Sequence, residues 1–262
     1  MNYRNKSIEK AYRIFDLFDR ETLLLSATEI ARRLTTTPSA IYPILCTLET
    51  HGYLLRNGNK KYALGYKFLE RANLVLQQTD LYTSAKPHLK KLASTWSVNT
   101  HLGIFYADMV LYLHREVGGD TVIIGEITGW QEPAYCTALG KTLLAFLPGP
   151  ELESYLSRER LTAVTPYTIV DAVKLRDELV RIRQAAFAIS NEEAHEGVIG
   201  VGAPVTDFKG EVRAAISISV PKSRWHKEQA ALIAAVRQTA CHLSQELGAV
   251  RKGKPVDHVL YG

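Results

Sequence analysis

Ser26-Ala-Thr-Glu-Ile-Ala-Arg-Arg-Leu-Thr-Thr-Thr-Pro-Ser-Ala-Ile-Tyr-Pro-Ile-Leu45 sets the architecture of the first quarter of the chain. Ser26 and Glu29 stand three apart ahead of an apolar run. That is the spacing of a capping box, in which each side chain satisfies the other residue's backbone amide. The helix they open carries Ala27, Ile30, Ala31 and Leu34 on one face. Thr35-Thr-Thr37 is a polar break. Pro38 then suits the first position of a further helix, because its φ is already helical and its missing donor would lack a partner there anyway. That helix turns Ile41, Ile44, Leu45 and Leu48 inward and ends near His51-Gly52.

Upstream, Ser7 can cap a helix whose apolar positions Ile8, Ala11, Tyr12, Phe15 and Phe18 follow three-and-four spacing. Downstream, Tyr53 to Arg56 and Lys60 to Leu64 read as two strands around a turn at Asn57-Gly58-Asn59. Helix, short helix, tight turn, helix and hairpin in this order outline a winged helix-turn-helix. Such a motif places its second helix in the major groove, where the early residues meet base edges. Here those are Ser39, Ala40 and Tyr42.

Pro38 to Thr50 contains no Lys or Arg. Neutralisation of phosphates, which supplies most affinity for nucleic acid, must then come from elsewhere. The candidates are Arg4 and Lys6 on the N-terminal arm, Arg32 and Arg33 at the end of the preceding helix, and Arg56, Lys60 and Lys61 on the wing. Ser26, at the head of that preceding helix, completes the DNA-contact set. Pro43 lies about six residues into the recognition helix, where a proline removes one hydrogen bond and should kink the axis or cost about 3 kcal/mol.

Charge follows the same division. The 262 residues carry a formal net charge of +5, of which residues 1–66 hold +4 and the remainder +1. A polyanion would therefore be met by the first quarter. Hydrophobic residues at 46% and charged residues at 23% exclude wholesale disorder and fibrous architectures. No apolar run approaches the roughly 18 residues of a membrane span, and no apolar stretch follows the basic N-terminus as in a secretory signal. Cys46, Cys136 and Cys241 lie too far apart for a disulfide framework or a CxxC metal site. The chain reads as cytoplasmic, without a cofactor.

Beyond the hairpin, Gly65 to Trp96 holds two helical stretches. The first buries Phe68, Leu69, Ala72, Val75 and Leu76; the second follows Asp80 and is broken or bent near Pro87. From Asn99 the period changes to two. Leu102, Ile104 and Tyr106 alternate, Ala107-Asp108 turns, and Met109 to Val117 returns as a strand. Further strands fit Val122 to Ile127, Phe187 to Ile189, Val201 to Val205 and Val212 to Val220. Helices fit Thr137 to Leu147 and Asp171 to Ala185. A last amphipathic helix shows Leu232, Val236, Ala240, Leu243 and Leu247. Helices interleaved with hairpin-joined strands indicate an α+β domain on an antiparallel sheet. The organisation expected is a winged helix-turn-helix at 4–65, a linker helix at 66–79, a second domain at 80–249 and a loose tail at 250–262.

Chemistry is sparse in this second part. Alternation in Ala214 to Val220 puts Ile216, Ile218 and Val220 on one face and Ser217 and Ser219 on the other, which reads as a wet outer face or as a polar ligand site. Thr137 looks like an N-cap, and the free first-turn amides behind it could hold a carboxylate. Asn191 to Glu196 groups carboxylates with His195 but lacks HExxH spacing, so it reads as a charged loop rather than a zinc site. Nothing places a base beside Cys136, and glycines 197, 200 and 202 lack the strand-then-helix context of a nucleotide fingerprint.

Taken together, Ser7-Ile-Glu-Lys-Ala-Tyr-Arg-Ile-Phe15, Glu29 to Leu34, Thr47-Leu-Glu49 and His51-Gly-Tyr53 resemble the N-terminal domain of the IclR family of bacterial transcription regulators. Cys136-Thr-Ala-Leu-Gly-Lys141 with the helix after it, Glu192-Glu193, Gly197-Val198, Ala203-Pro-Val205 and Ala215-Ile-Ser-Ile-Ser219 resemble that family's effector-binding domain. The resemblance covers about residues 4 to 248. It implies a winged helix-turn-helix, a dimerising linker helix and a GAF-like domain that binds a small metabolite. It further implies dimers or tetramers on a double-stranded palindromic operator near catabolic genes.

By the same resemblance the effector site falls on Ala138 and Leu139, on Ser217 and Ser219, and on Ser190 and Gly200, where the family commonly has Asp and Cys. Ser190 removes a charged acceptor and Gly200 leaves room, which points to a small carboxylate effector bulkier than a two-carbon acid, such as a sugar acid or its lactone. Thr35 stands where the family usually has Gly, and Pro43 where it usually has a basic residue. The competing reading is an enzyme acting on its small ligand, with the N-terminal helices serving assembly.

Overall fold

The computed structural model describes residues 5–77, 80–118, 128–158 and 160–249. The chain divides into two compact units, Met1–Gln78 and Thr79–Gly262. Arg4, the strand expected over Val122 to Ile127 and the tail at 250–262 lie outside the described residues.

The first unit runs α1 (Lys6–Phe15), β1 (Leu25–Ser26), α2 (Ala27–Arg33), α3 (Pro38–Thr50), β2 (Leu54–Arg56), β3 (Lys61–Leu64) and α4 (Lys67–Gln77). The cap of α1 is Asn5 rather than Ser7: the Asn5 carboxamide oxygen accepts from the amides of Ser7 and Ile8. Its inward side chain is Ile14, whereas Ile8 and Tyr12 are exposed. The capping box at the head of α2 forms as the spacing predicts. Glu29 Oε2 accepts from the Ser26 amide at 2.7 Å, and the Glu29 amide donates to Ser26 Oγ at 3.2 Å. The turn after α2 is carried by Thr35 at φ 54°, a left-handed position that a side chain occupies with strain.

Thr37 caps α3, and the helix runs through Pro43 without interruption. Burial of Ile41 and Leu45 against Ile14, Ile30 and Leu54 holds it in place. A short strand that the periodicity did not reveal, β1, pairs with β3 through Leu25 and Tyr62, so the wing is three-stranded in the order β1-β3-β2. At its tip Lys60 adopts the left-handed conformation at φ 58°, and β3 begins one residue later than expected. On α4, Phe68 packs edge-on to Phe15 and Tyr53. Leu69 and Val75, expected inside, are 67% and 62% exposed, and Ala72 is exposed as well. An apolar stripe needs a covering surface, and this one has none among the described residues of the unit.

The second unit comprises α5 (Asp80–Trp96), β4 (Asn99–Tyr106), β5 (Met109–Glu116), β6 (Gln131–Pro133), α6 (Ala138–Ala145), α7 (Gly149–Arg158), α8 (Ala172–Ala185), β7 (Ala188–Asn191), β8 (Val198–Thr206), β9 (Val212–Pro221) and α9 (Lys222–Glu246). The strands form one antiparallel sheet in the order β6-β5-β4-β9-β8-β7. Ala107 and Asp108 both have positive φ and join β4 to β5 in a tight turn. Helix α5 continues through Pro87 instead of breaking there, anchored by the buried Ala85, Leu89, Leu92 and Ala93.

The two sheet faces are covered differently. Ile216, Ile218 and Val220 of β9 pack with Leu232, Val236, Ala240 and Leu243 of α9. Each fully buried Ile, Leu or Val side chain among them contributes on the order of 2 kcal/mol. The opposite face meets α6, all eight residues of which are buried. Ser217 and Ser219 lie on that side, so they are not a wet outer face: Ser217 is buried and Ser219 half-buried. Alternation separated the two sets of residues correctly, but it could not show that a helix roofs the polar one.

Candidate DNA-contact face and effector cavity

In the first unit, Ser39, Ala40 and Tyr42 are exposed on α3, away from Ile41 and Leu45. Lys6, Arg32, Arg33, Arg56 and Lys60 are exposed, and Lys61 is half-buried. Arg56 rests its guanidinium 5.6 Å from the Tyr62 ring centre. The Ser26 hydroxyl donates to Glu29 Oε2 at 2.7 Å and is committed to the helix cap.

In the second unit the six positions Ala138, Leu139, Ser190, Gly200, Ser217 and Ser219 line one cavity of about 30 Å³. Their convergence follows from strand register. Ser190 pairs with Gly200 across β7 and β8, and Gly200 pairs with Ser219 across β8 and β9. One residue row therefore carries all three, and Ser217 lies in the next row beside Gly202. Glycine lets α6 sit down on this surface. A Cβ at position 202 would stand 2.6 Å from the Ala138 carbonyl and 2.7 Å from the Thr142 hydroxyl. The room expected at Gly200 is occupied on that side, since a Cβ there would stand 3.0 Å from Ala138 Cβ.

Helix α6 points its first turn at the cavity. Thr137 Oγ1 accepts from the Gly140 amide at 2.9 Å, which leaves the amides of Ala138 and Leu139 as first-turn donors outside the intrahelical ladder. Ser190 Oγ donates to the Cys136 carbonyl at 2.7 Å and fixes the approach to the helix. Ser219 Oγ lies 3.3 Å from His101 Nε2.

Thr137, expected as the cap of a carboxylate-holding turn, lines the cavity too, and five lining residues were not foreseen as such: Tyr112, Glu132, Ala194, His195 and Val198. Glu132 accepts from the Tyr112 hydroxyl at 2.7 Å and lies 3.2 Å from His195 Nε2. Burial works to raise its pKa, but the bonds from His195 and Tyr112 outweigh that and hold the carboxyl below the ordinary range. Glu132 thus stays ionised beside the cavity. Its three-residue strand is too short for a periodic signal, so nothing in the sequence marks it.

The loop that brings Ala194 and His195 here is not a solvated charged loop. Glu192 and Glu193 are both buried. Glu193 pairs with the buried Lys141 at 2.6 Å, while Glu192 pairs with Lys222 and accepts from the Gly197 amide. Thr165 and Thr168 donate to the carbonyls of Glu192 and Glu193 at 2.6 and 2.7 Å. Cys136 offers no nucleophile, because burial pushes its thiol up to about 12. Among the described residues no group of three or more His, Cys, Asp or Glu could hold a metal ion.

Two family patterns match this architecture. The bacterial transcriptional regulator IclR C-terminal domain matches residues 73–245, and the IclR helix-turn-helix domain matches residues 7–58. The chain belongs to the IclR family. Among its IclR relatives is the HTH-type transcriptional regulator XynR of Escherichia coli K12, 33% identical over 245 residues that cover 93% of this chain and 97% of that one. The crystal structure of Thermotoga maritima IclR is 30% identical, with a TM-score of 0.76, and is matched over 92% of this chain and 98% of that one. An IclR homolog from Microbacterium hydrocarbonoxydans, complexed with 4-hydroxybenzoate, shares the fold at 22% identity and a TM-score of 0.82, over 92% of this chain and 99% of that one. IclR proteins are DNA-binding transcription regulators rather than enzymes, and the enzyme reading finds no support. No helix among the described residues is long and apolar enough to cross a membrane.

Proposed function

We propose that this IclR regulator binds a palindromic operator as a dimer and releases or tightens its grip when a small carboxylate enters the second unit, controlling a carbon-catabolic operon. The observation that carries the effector half is the convergence of Ala138, Leu139, Ser190, Gly200, Ser217 and Ser219 on one cavity at the start of α6. Amides at a helix start favour an anion. The carboxylate sits on Ala138 and Leu139, and the hydroxyls of Ser217 and Ser219 take the ligand's polar groups. The ionised Glu132 disfavours a second acid group on its side. A monocarboxylate with hydroxyls, such as a short hydroxy acid or a sugar acid, meets all three conditions.

On the DNA half, α3 lies in the major groove, with Lys6, Arg32, Arg33, Arg56, Lys60 and Lys61 on phosphates and Arg4 on the arm before them. The exposed Leu69, Ala72 and Val75 of α4 support dimerisation through that helix. A two-fold axis then puts the half-sites roughly one helical turn apart. An effector acts only through different affinities for the two DNA-binding states, and a coupling of about 1–3 kcal/mol would change operator affinity 5–150-fold.

The test uses purified full-length protein and duplexes from its own promoter region. Binding at low ionic strength is expected, and each Lys60→Ala or Lys61→Ala change lowers the slope of log affinity against log salt by about 0.9. Calorimetry over a panel of hydroxy acids, sugar acids and dicarboxylates should find a monocarboxylate. Indifference to every duplex would end the DNA half, and binding of dicarboxylates alone would end this assignment of the effector.

A further inference from the structure

The outward face of α3 bears neither a cation nor a carboxamide. From Leu34 to Thr50 the sequence has no Arg, Lys, Asn or Gln. Those are the side chains that read guanine through O6 and N7, or adenine through N6 and N7, by paired hydrogen bonds. With Ile41 and Leu45 turned into the core, helical spacing sets two rows on the exposed side. One row is Ser39, Tyr42 and Cys46. The other is Ala40, Pro43 and Thr47, of which all three are exposed.

The second row is apolar in its effective chemistry. Thr47 belongs to it because its hydroxyl is already engaged, donating to the Pro43 carbonyl at 2.8 Å. That bond uses the hydroxyl hydrogen, so toward a base the side chain offers an acceptor oxygen and its methyl group but no donor. Ser39 in the first row likewise has its hydroxyl within 3.1 Å of Thr37 Oγ1. The exposed Arg32 and Arg33 precede the helix, and Arg56 and Lys60 lie on the wing. This apolar row is thus flanked by charge complementary to a phosphate backbone rather than to another apolar protein surface.

Within the major groove one base feature suits an apolar row, the C5-methyl group of thymine. We propose that Ala40, Pro43 and Thr47 select the operator by packing on thymine methyl groups, so that the bases under α3 are A·T pairs. The inference rests on α3 as the groove-entering helix and adds what that helix reads. Pro43 then has a use where a hydrogen-bonding side chain would have another: it extends the methyl-contacting row at the helical position between Ala40 and Thr47.

The test enriches binding duplexes from random double-stranded DNA with the full-length protein, then replaces each thymine of the enriched half-site by deoxyuridine. Pairing is kept and only the methyl group is lost. Fluorescence anisotropy should show about a fourfold loss of affinity at one or two positions per half-site, the weight of one buried methyl each. The protein partner is located with Thr47→Ser, which loses the methyl and keeps the hydroxyl, beside Thr47→Val, which does the reverse. Thr47→Ser should cancel the deoxyuridine effect at one position, and Thr47→Val should preserve it. An enriched half-site with fixed G·C pairs under α3, or indifference to deoxyuridine at every thymine, overturns the proposal while leaving DNA binding intact. Failure to enrich any duplex overturns it together with the reading on which it rests.

Discussion

Helices α3 and α6 begin alike and serve different surfaces. Each is capped by a threonine whose hydroxyl accepts from the amide three residues on, Thr37 from Ala40 at 3.3 Å and Thr137 from Gly140 at 2.9 Å. Helix α3 keeps an exposed face and offers side chains, whereas α6 is buried along its whole length and offers its first-turn backbone to a cavity. The same local code therefore yields two kinds of site. What differs is the surroundings: among the described residues of the first unit the outer row of α3 stays exposed, while glycines at 200 and 202 let α6 settle onto the sheet.

The sharpest contrast is Lys141. It lies in the middle of α6, is 1% exposed, and pairs with Glu193 at 2.6 Å and Glu178 at 3.6 Å. Removing one partner of a buried pair leaves an uncompensated charge and costs about 3–5 kcal/mol. Lys141→Met should lower the stability of the second unit by that amount at pH 7. The loss should shrink at pH 5, for a reason of sign. Burial already holds the Glu193 carboxyl above its ordinary pKa despite Lys141, and without the lysine it rises further. As pH falls through that raised value the carboxyl takes a proton and the lone charge disappears. Trp96, Trp130 and Trp225 all lie in the second unit, so denaturant unfolding followed by tryptophan fluorescence reads it directly. Equal losses at both pH values would mean that Glu193 is not the group left behind.

The contrast also explains what the sequence could disclose. The capping box at Ser26, the Pro38 start and the alternation of β9 are local rules, and the structure follows them. Register brings Ser190, Gly200 and Ser219 into one row from three strands, a long-range fact that only the family resemblance could anticipate. Glu132 sits on a strand of three residues, and Glu192 and Glu193 read as surface charge because their partners Lys222 and Lys141 are 30 and 52 residues away. The stripe on α4 was legible as apolar but not as uncovered, since a sequence shows which residues seek burial and not whether one chain supplies it. Ser7 failed as a cap for a smaller reason: Asn5, two residues earlier, accepts from the amides of Ser7 and Ile8, so the helix starts at Lys6 and Ser7 falls inside its first turn.

Pro43 tests how far α3 is shaped for its outer face rather than for its own stability. An interior proline deletes one hydrogen bond, here the one the Ser39 carbonyl would accept, and typically costs about 3 kcal/mol. Pro43→Ala should therefore stabilise the first unit, by about 1–3 kcal/mol once the greater freedom of the unfolded variant is counted. Hydrogen exchange of the α3 amides in the full-length protein should slow accordingly. Affinity for the enriched duplex should fall, because alanine presents a smaller apolar surface. A variant that gained stability with no loss of affinity would show that Pro43 takes no part in the contact row.

The two caps bear on the comparison itself. Thr37→Ala and Thr137→Ala each remove a cap worth about 1 kcal/mol, yet the penalties should differ. Thr37 is exposed, so the Ala40 amide can turn to water; Thr137 is 5% exposed, so the Gly140 amide loses its partner where water is scarce. The larger loss is expected at Thr137, read by tryptophan fluorescence, and the smaller at Thr37, read by exchange of the α3 amides. Their functional effects should not overlap: Thr37→Ala weakens duplex binding in anisotropy and leaves calorimetry with the acid panel unchanged, while Thr137→Ala weakens acid binding and leaves the affinity of unliganded protein for duplex within about twofold. If Thr137→Ala left acid binding untouched despite a frayed first turn, the amides of Ala138 and Leu139 would not be the anion's donors, and the resemblance between the two helix starts would carry no functional division.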